Sequence, residues 1–308
     1  MKIGLIDVDR HSKKSRKKKH SFPNLALMKI SAWHKQQGDQ VEWCDLFEHY
    51  DKVYLSKVFD TTYTEDFLTA IKADKIIKGG TGYDLNNKLC YDIEHIYPDY
   101  DLYPNLTKNI AYGFLSRGCP NNCPFCIVTE KEGRKSKKIA DLSEFRKDQK
   151  TIKLLDPNLL ACKEHKELLQ QLVDSGAWVD FTQGLDARLI NNSNIGLLTK
   201  IKVNMIHFAF DLMENEKKIV EGLKLYKEAT KINERKTNIY VLTNYNTTHE
   251  EDLYRIYKIR DLGYYPYVMI YNKGTEPKET KHLQRWANNK IIYNTTGRNF
   301  KNYNPSLG

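Results

Sequence analysis

Apolar and polar positions along this chain fall into blocks that switch between two periods. Residues 2–8 (KIGLIDV) form an apolar run of strand length. Further on, residues 23–38 place Leu25, Met28 and Ala32 in one row and Ala26, Ile30 and Trp33 in a second, at three- and four-residue spacing. Two adjacent rows of this kind describe the apolar stripe of an amphipathic helix, here ending near Gly38 with Pro23 in its first turn. Short strands are expected over 41–44, 52–58 and 75–78, and a helix over 65–73. Strands alternating with helices predict a parallel sheet, so residues 1–105 read as a small α/β domain, with 96–104 as a linker. The second half repeats the alternation at longer spacing, with strands expected over 111–115, 152–155, 178–182, 205–210, 238–242 and 267–271. Helices are expected between them, clearest over 163–175, 214–230 and 249–262, and one more over 280–288 in a polar tail. Six strands, each followed by a crossover, suggest a partial (β/α)6 barrel over residues 106–275, with 276–308 as the tail; a complete barrel needs eight. Active sites of such barrels lie at the C-terminal ends of the strands, so the residues just after each strand carry the candidates.

Composition narrows the class. The chain has 308 residues, about two domains at ~150 residues each, and enough length to bury a core without a disulfide framework. Apolar residues make up 40% and charged residues 29%, which suits a soluble globular protein rather than a disordered chain. Mean hydropathy is −0.64, and no run approaches the ~18 apolar residues of a membrane helix. Asp7 interrupts the N-terminus before a signal-peptide core can form. A soluble cytoplasmic protein, with no membrane partner, is the expectation. The net charge of +10, from 49 Lys and Arg against 39 Asp and Glu, favours an anionic partner. The run at 11–20 (HSKKSRKKKH) reads as a solvated loop or an anion contact. With twenty tyrosines as stacking surfaces, a nucleotide or tRNA is a candidate substrate.

Six cysteines are spread unevenly. Cys44, Cys90 and Cys162 stand alone, whereas Cys119, Cys123 and Cys126 lie together in Ser116-Arg117-Gly118-Cys119-Pro120-Asn121-Asn122-Cys123-Pro124-Phe125-Cys126. Such clustering looks like an intracellular metal site rather than a secreted disulfide scaffold. Cysteine thiolates are the usual ligands of iron–sulfur clusters. Three of them on one loop can hold three irons of a cubane and leave the fourth open. Gly118 allows a sharp turn, and Pro120 and Pro124 stiffen a loop that must converge three sulfurs. A structural zinc site wants four ligands, and no second cysteine pair follows. A zinc-dependent nucleic-acid-binding protein is the alternative of another class, and a cluster protein for electron transfer or sensing is a third reading.

The C-x3-C-x2-C spacing, with Phe125 before the last cysteine, resembles the signature of the radical S-adenosylmethionine superfamily. The resemblance spans residues 108–275. It implies a [4Fe–4S] cluster on Cys119, Cys123 and Cys126, whose open iron binds S-adenosylmethionine. It further implies reductive cleavage of that cofactor to a 5′-deoxyadenosyl radical that abstracts hydrogen from a substrate, with flavodoxin or ferredoxin as the reductant. Asp156 and Asn158 follow the second barrel strand, where the superfamily usually binds the ammonium of the methionine moiety, although the common Gly-Gly-Glu form is absent. Gln183, Asp186 and Arg188 follow the third strand and suit the carboxylate or ribose of the cofactor, or the substrate. Asp211 ends the fourth strand and Asn244 the fifth. Each of these also has a plain reading, because Asp and Asn are common at strand ends and helix caps.

A small α/β domain ahead of such a barrel is similar to the Rossmann-like domain of the cobalamin-binding subfamily. Phe22-Pro23-Asn24-Leu25-Ala26-Leu27 and Gly79-Gly80-Thr81-Gly82 resemble its pattern, and Asp9-Arg10-His11 resembles the Asp-x-His that ligates cobalt from below. Glycines after a strand let a phosphate or flat cofactor approach, or simply make a turn. Lys14 stands where that subfamily has glycine. Cobalamin and a cobalamin-dependent methyltransferase activity are therefore the alternative within the enzyme class. A methylthiotransferase would need three N-terminal cysteines, and only Cys44 and Cys90 precede the motif.

Overall fold

The structure is a computed structural model that describes residues 1–11, 22–61 and 63–306. The basic run at 11–20 lies, His11 apart, outside the described residues. The fold is mixed α/β with two parallel sheets. The first has four strands, β1 (Lys2–Asp7), β2 (Gln40–Trp43), β3 (His49–Ser56) and β4 (Lys72–Gly79), in the order β2-β1-β3-β4. All its neighbours run parallel. β1 is apolar on both faces because both are covered: Ile3 and Leu5 pack with Leu27 and Ile30, while Ile6 joins Val8, Val53 and Leu55. A parallel strand buried on both sides reads as a continuous apolar run, as this one does.

Two further strands, β5 (Ile110–Gly113) and β6 (Ser116–Arg117), lead into the cysteine segment, and β7 (Lys137–Lys138) follows it. The second sheet continues with β8 (Thr151–Leu154), β9 (Trp178–Phe181), β10 (Lys202–Ala209), β11 (Thr237–Thr243) and β12 (Tyr265–Ile270). Its order is β12-β11-β10-β9-β8-β5, so six strands succeed one another in chain order. The β9–β10, β10–β11 and β11–β12 pairs are parallel. Helices His165–Ser175, Glu216–Thr230, His249–Asp261 and Lys278–Asn288 stand where the apolar periodicity puts them. The third of these begins in a capping box, in which Thr248 accepts the Glu251 N–H (3.3 Å) and Glu251 accepts the Thr248 N–H (2.8 Å). One face of β9 to β12 is fully buried through Val179, Phe181, Ile206, Phe208, Ile239, Val241 and Val268. The alternate residues are more open.

The chain divides into two compact units, Met1–Arg134 with Ile139–Lys153, and Lys135–Lys138 with Leu154–Gly308. Among the described residues no helix is long and apolar enough to cross a membrane.

Three local expectations are corrected. No helix forms over 65–73; the segment is irregular up to Lys72, where β4 begins. Asp66 is engaged instead: its carboxylate accepts the neighbouring Phe67 N–H (2.9 Å) and, from 17 residues further on, the Tyr83 hydroxyl (2.6 Å). Such bonds compete with helix formation. Helix Leu25–Gln36 forms, but Asn24 caps it, accepting the Leu27 N–H, and Pro23 precedes the cap. Its buried stripe is Leu27, Met28, Ile30, Ser31 and His34, turned from the all-apolar rows. Ser31 and His34 can be buried because each is satisfied, Ser31 by Asp99 (2.6 Å) and His34 by Asp39 (2.6 Å) and the Tyr54 hydroxyl (3.0 Å). The segment 96–104 is packed rather than a free linker. Tyr103 is buried and donates to the Asp7 carboxylate (2.7 Å), and the Tyr100 hydroxyl donates to the Phe145 carbonyl (2.6 Å).

Candidate functional site

The cysteine loop leaves β6 at Gly118, whose φ of +89° is in the region that favours glycine. Three backbone bonds hold it. The Gly118 N–H donates to the Glu132 carboxylate (3.3 Å), the Cys119 N–H to the Gly133 carbonyl (3.1 Å) and the Cys126 N–H to the Cys123 carbonyl (2.9 Å). Cys123 and Cys126 are therefore the ends of a β-turn with Pro124 in its favoured second place, which brings their Cα atoms within ~7 Å. Cys119, Cys123 and Phe125 are half-buried, and Cys126 is exposed. The loop closes into the short helix Val128–Glu132.

Charge is concentrated at the start of this loop. Arg117 pairs with Glu132 (3.0 Å) and Glu94 (3.2 Å), stacks over the Phe114 ring at 3.9 Å, and shares Glu94 with Lys29 (3.0 Å). Burial raises the Glu94 carboxyl, but Arg117 and Lys29 outweigh it and hold the group below the usual carboxylate range. Burial pulls the Lys29 and Lys131 ammonium groups down. Lys131 donates to the Thr81 hydroxyl, which ties the helix after the cysteines to the glycine turn. That turn needs its glycines for backbone packing. A Cβ on Gly80 would lie 2.4 Å from the Lys57 carbonyl oxygen, and one on Gly82 would lie 2.2 Å from that of Phe59. Asp9 of the Asp-x-His stretch is buried and accepts the Val58 N–H (2.6 Å), the Phe59 N–H (3.3 Å) and the Thr64 hydroxyl (2.7 Å). His11 meets the Phe67 ring edge-on. Glycine turn and Asp9 alike are accounted for by the chain's own packing.

In the second unit, three of the nominated residues meet. The Asn158 amide donates to Asp186 (3.3 Å), and Arg188 grips the same carboxylate through Nε (2.8 Å) and Nη2 (2.7 Å). The Arg188 N–H also donates to Asp186 (3.1 Å), and the Ser136 hydroxyl donates to the Asn158 carbonyl (2.9 Å). Asn158 and Asp156 are buried, and Gln183 is exposed. Gly184, at φ +97°, makes the turn between Gln183 and Asp186. Asp211 and Asn244 serve neighbouring backbone. Asp211 accepts the Leu242 N–H (2.8 Å), and burial pushes its carboxyl up to about 6. Asn244, at φ +60°, donates to the Tyr271 carbonyl (2.9 Å).

Sequence reasoning missed the charged support of the cysteine loop, because the partners of Arg117 lie 15 and 23 residues away in the chain. It also missed Arg255, which is fully buried beneath the ends of β10 and β11. No spacing marks either. The aromatic file of His207, Tyr240 and Tyr267 across β10 to β12 was legible only once the strands were in register.

The donor set of the loop suits an iron–sulfur cluster in kind and number: three soft sulfur donors, two tied by a tight turn, on a segment with solvent access. Among the described residues no group of three or more His, Cys, Asp or Glu is gathered in a metal-holding arrangement. Cys162 does not extend the set, since burial pushes its thiol up to about 11 and the thiol donates to Glu164 (3.2 Å). A scan against protein-family models found no match for this chain, and neither did a search of curated proteins.

Proposed function

We propose that the chain is a radical S-adenosylmethionine enzyme. The observation that carries this reading is Cys119-x3-Cys123-x2-Cys126 on the loop that follows β5, the first in chain order of six strands that succeed one another across a sheet. That succession is what a partial (β/α)6 barrel requires. Cys119, Cys123 and Cys126 hold a [4Fe–4S] cluster, and Phe125 flanks it. When bound, the cluster would supply an open iron for S-adenosylmethionine and one electron to its sulfonium, which would part into methionine and a hydrogen-abstracting 5′-deoxyadenosyl radical. The chain's own residues bind and orient. Glu132 and Arg117 fix the start of the cysteine loop. Asp156 offers a buried carboxylate to the cofactor's ammonium. Arg188 grips the Asp186 carboxylate, and Asp186 in turn sets the direction of the Asn158 amide, for the ribose or carboxylate end. Gln183, Asp211 and Asn244 complete the polar strand ends, and the electron comes from a flavodoxin- or ferredoxin-like donor.

The test is anaerobic reconstitution with iron and sulfide, followed by reduction in the presence of S-adenosylmethionine. The expected result is about four irons per chain and release of 5′-deoxyadenosine, both lost in Cys123→Ala. A protein that loads iron and sulfide yet releases none with any of several reductants overturns the reading, as does one that takes up zinc alone.

A further inference from the structure

We infer that the groove beside β12 binds single-stranded nucleic acid. β12 is an edge strand, but at its middle the backbone of Val268 is already paired. Asn288 accepts the Val268 N–H (2.7 Å) and donates to the Val268 carbonyl (3.0 Å), where Gln284 also donates (3.1 Å). That plug disfavours addition of a peptide strand at this point of the edge. Beside this plug lies a groove of about 640 Å³ lined by Tyr267, Lys273, Arg285, Asn289, Lys290 and Ile291, among others. Among the described residues that line it three are cationic and none is acidic. The groove is wide open to solvent, whereas small-molecule sites bury most of their ligand. An anionic polymer fits such a surface, and the chain's net charge of +10 steers one towards it.

An aromatic file leads into the groove. His207 stacks on Tyr240 at 5.1 Å and 10°, its Nδ1 held 3.1 Å from the Phe181 carbonyl. Tyr240 meets Tyr267 edge-on at 5.7 Å. Tyr267 is 41% exposed and Met269, two residues on along β12, is 45% exposed. Tyr267 thus presents a braced ring to solvent at the point where the cations begin. Aromatic faces beside a cationic track are how proteins hold single strands, bases stacking on the rings and phosphates on Lys and Arg. Lys290 lies over the Tyr265 ring at 4.6 Å, which fixes one of the three charges.

The test uses a fluorescein-labelled twelve-nucleotide RNA, the DNA of the same sequence and the corresponding duplexes. Anisotropy is read without S-adenosylmethionine or reductant, so the outcome is independent of the cluster reading. Three phosphate contacts give a log–log salt slope of about −2, roughly a twentyfold loss between 50 and 200 mM salt. Tyr267→Ala is expected to weaken single-strand binding about tenfold. Lys273→Ala with Arg285→Ala, both at exposed positions, is expected to flatten the slope by about 1.4. Thermal melts of each variant that match the parent confirm that folding is unaffected. The inference is overturned if the single strands do not bind at 100 µM protein in 50 mM salt. It is overturned equally if these variants bind as the parent does while neutralising lysines 13, 14 and 17–19 abolishes binding, or if duplexes bind more tightly than single strands.

Discussion

Arg255 gives the sharpest test of how the strand ends of the second unit are held. Its side chain is 0% exposed. Nη1 donates to the carbonyls of Phe210 (2.9 Å) and Asp211 (2.8 Å), and Nη2 to the Leu242 carbonyl (2.8 Å), the Thr247 hydroxyl (3.2 Å) and the Asp252 carboxylate. The guanidinium thus caps the ends of β10 and β11 from below. Arg255→Ala leaves Asp252, itself 3% exposed, without its cation, leaves three carbonyls without a donor, and opens a cavity. Breaking a buried pair by removing one partner costs about 3–5 kcal/mol. In a unit of this size that lowers Tm by ~6–20 °C, at 2–4 °C per kcal/mol. Arg255→Lys keeps the charge, but three donors on a single nitrogen cannot reach five acceptors, so about half the loss is expected. Urea unfolding followed by tryptophan fluorescence measures both, and Asp252→Asn in the Arg255→Ala background closes a double-mutant cycle with coupling above ~1 kcal/mol. A loss under ~1 kcal/mol for Arg255→Ala, or parental stability for Arg255→Lys, refutes the reasoning.

Two further outcomes follow from the same unit. Burial pushes the Asp211 carboxyl up to about 6, so between about pH 4 and 6 the folded chain holds a proton that the unfolded chain has released. Its contribution is present below that window and lost as pH rises through it. Asp211→Asn, which can still accept the Leu242 N–H, should flatten this slope and gain about 1.4 kcal/mol at pH 7.5 relative to pH 5 in urea melts; an unchanged slope counts against the burial argument. A Cβ on Gly222 would lie 1.8 Å from the Ala187 carbonyl oxygen. Gly222→Ala should therefore lose ~2 kcal/mol by thermal melting, despite a helix-propensity gain of about 1 kcal/mol, and a raised Tm would show that the turn carrying Asp186 and Arg188 yields freely.

Much of the architecture is readable from periodicity, because the strands are apolar and the long helices carry ordinary stripes. The failures share a cause: the decisive partner is distant in sequence. His34 and Ser31 look like solvent-facing positions of helix Leu25–Gln36 until Tyr54 and Asp99 are brought against them. Arg255 sits among charges in His249–Asp261 and reads as part of a solvated face. The 65–73 segment has a helical composition, but Asp66 is claimed by Tyr83. At the cysteine loop, spacing identifies the donors and Pro124 the turn. The brace from Glu132 to Gly118 and Arg117 has no local sign.

The polar residues at strand ends separate into two kinds, and the separation bears on which of them face a ligand. Asp9, Asp211 and Asn244 each pair with backbone, at Val58 and Phe59, Leu242 and Tyr271 respectively. Replacing such a pairing with a ligand contact strands a main-chain group, so these residues are ties that hold neighbouring segments together. Asp186 is mixed: it caps the turn Ala187–Leu189 by accepting the Arg188 N–H (3.1 Å), and it also engages the Arg188 fork and the Asn158 amide through side chains. A charged, oriented network of this kind can exchange one side-chain partner for a ligand atom at little cost to the backbone. Among the candidates after strands, the proposed cofactor contacts are therefore expected at Asp156 and at the side-chain bonds of Asn158, Asp186 and Arg188 rather than at Asp211 and Asn244.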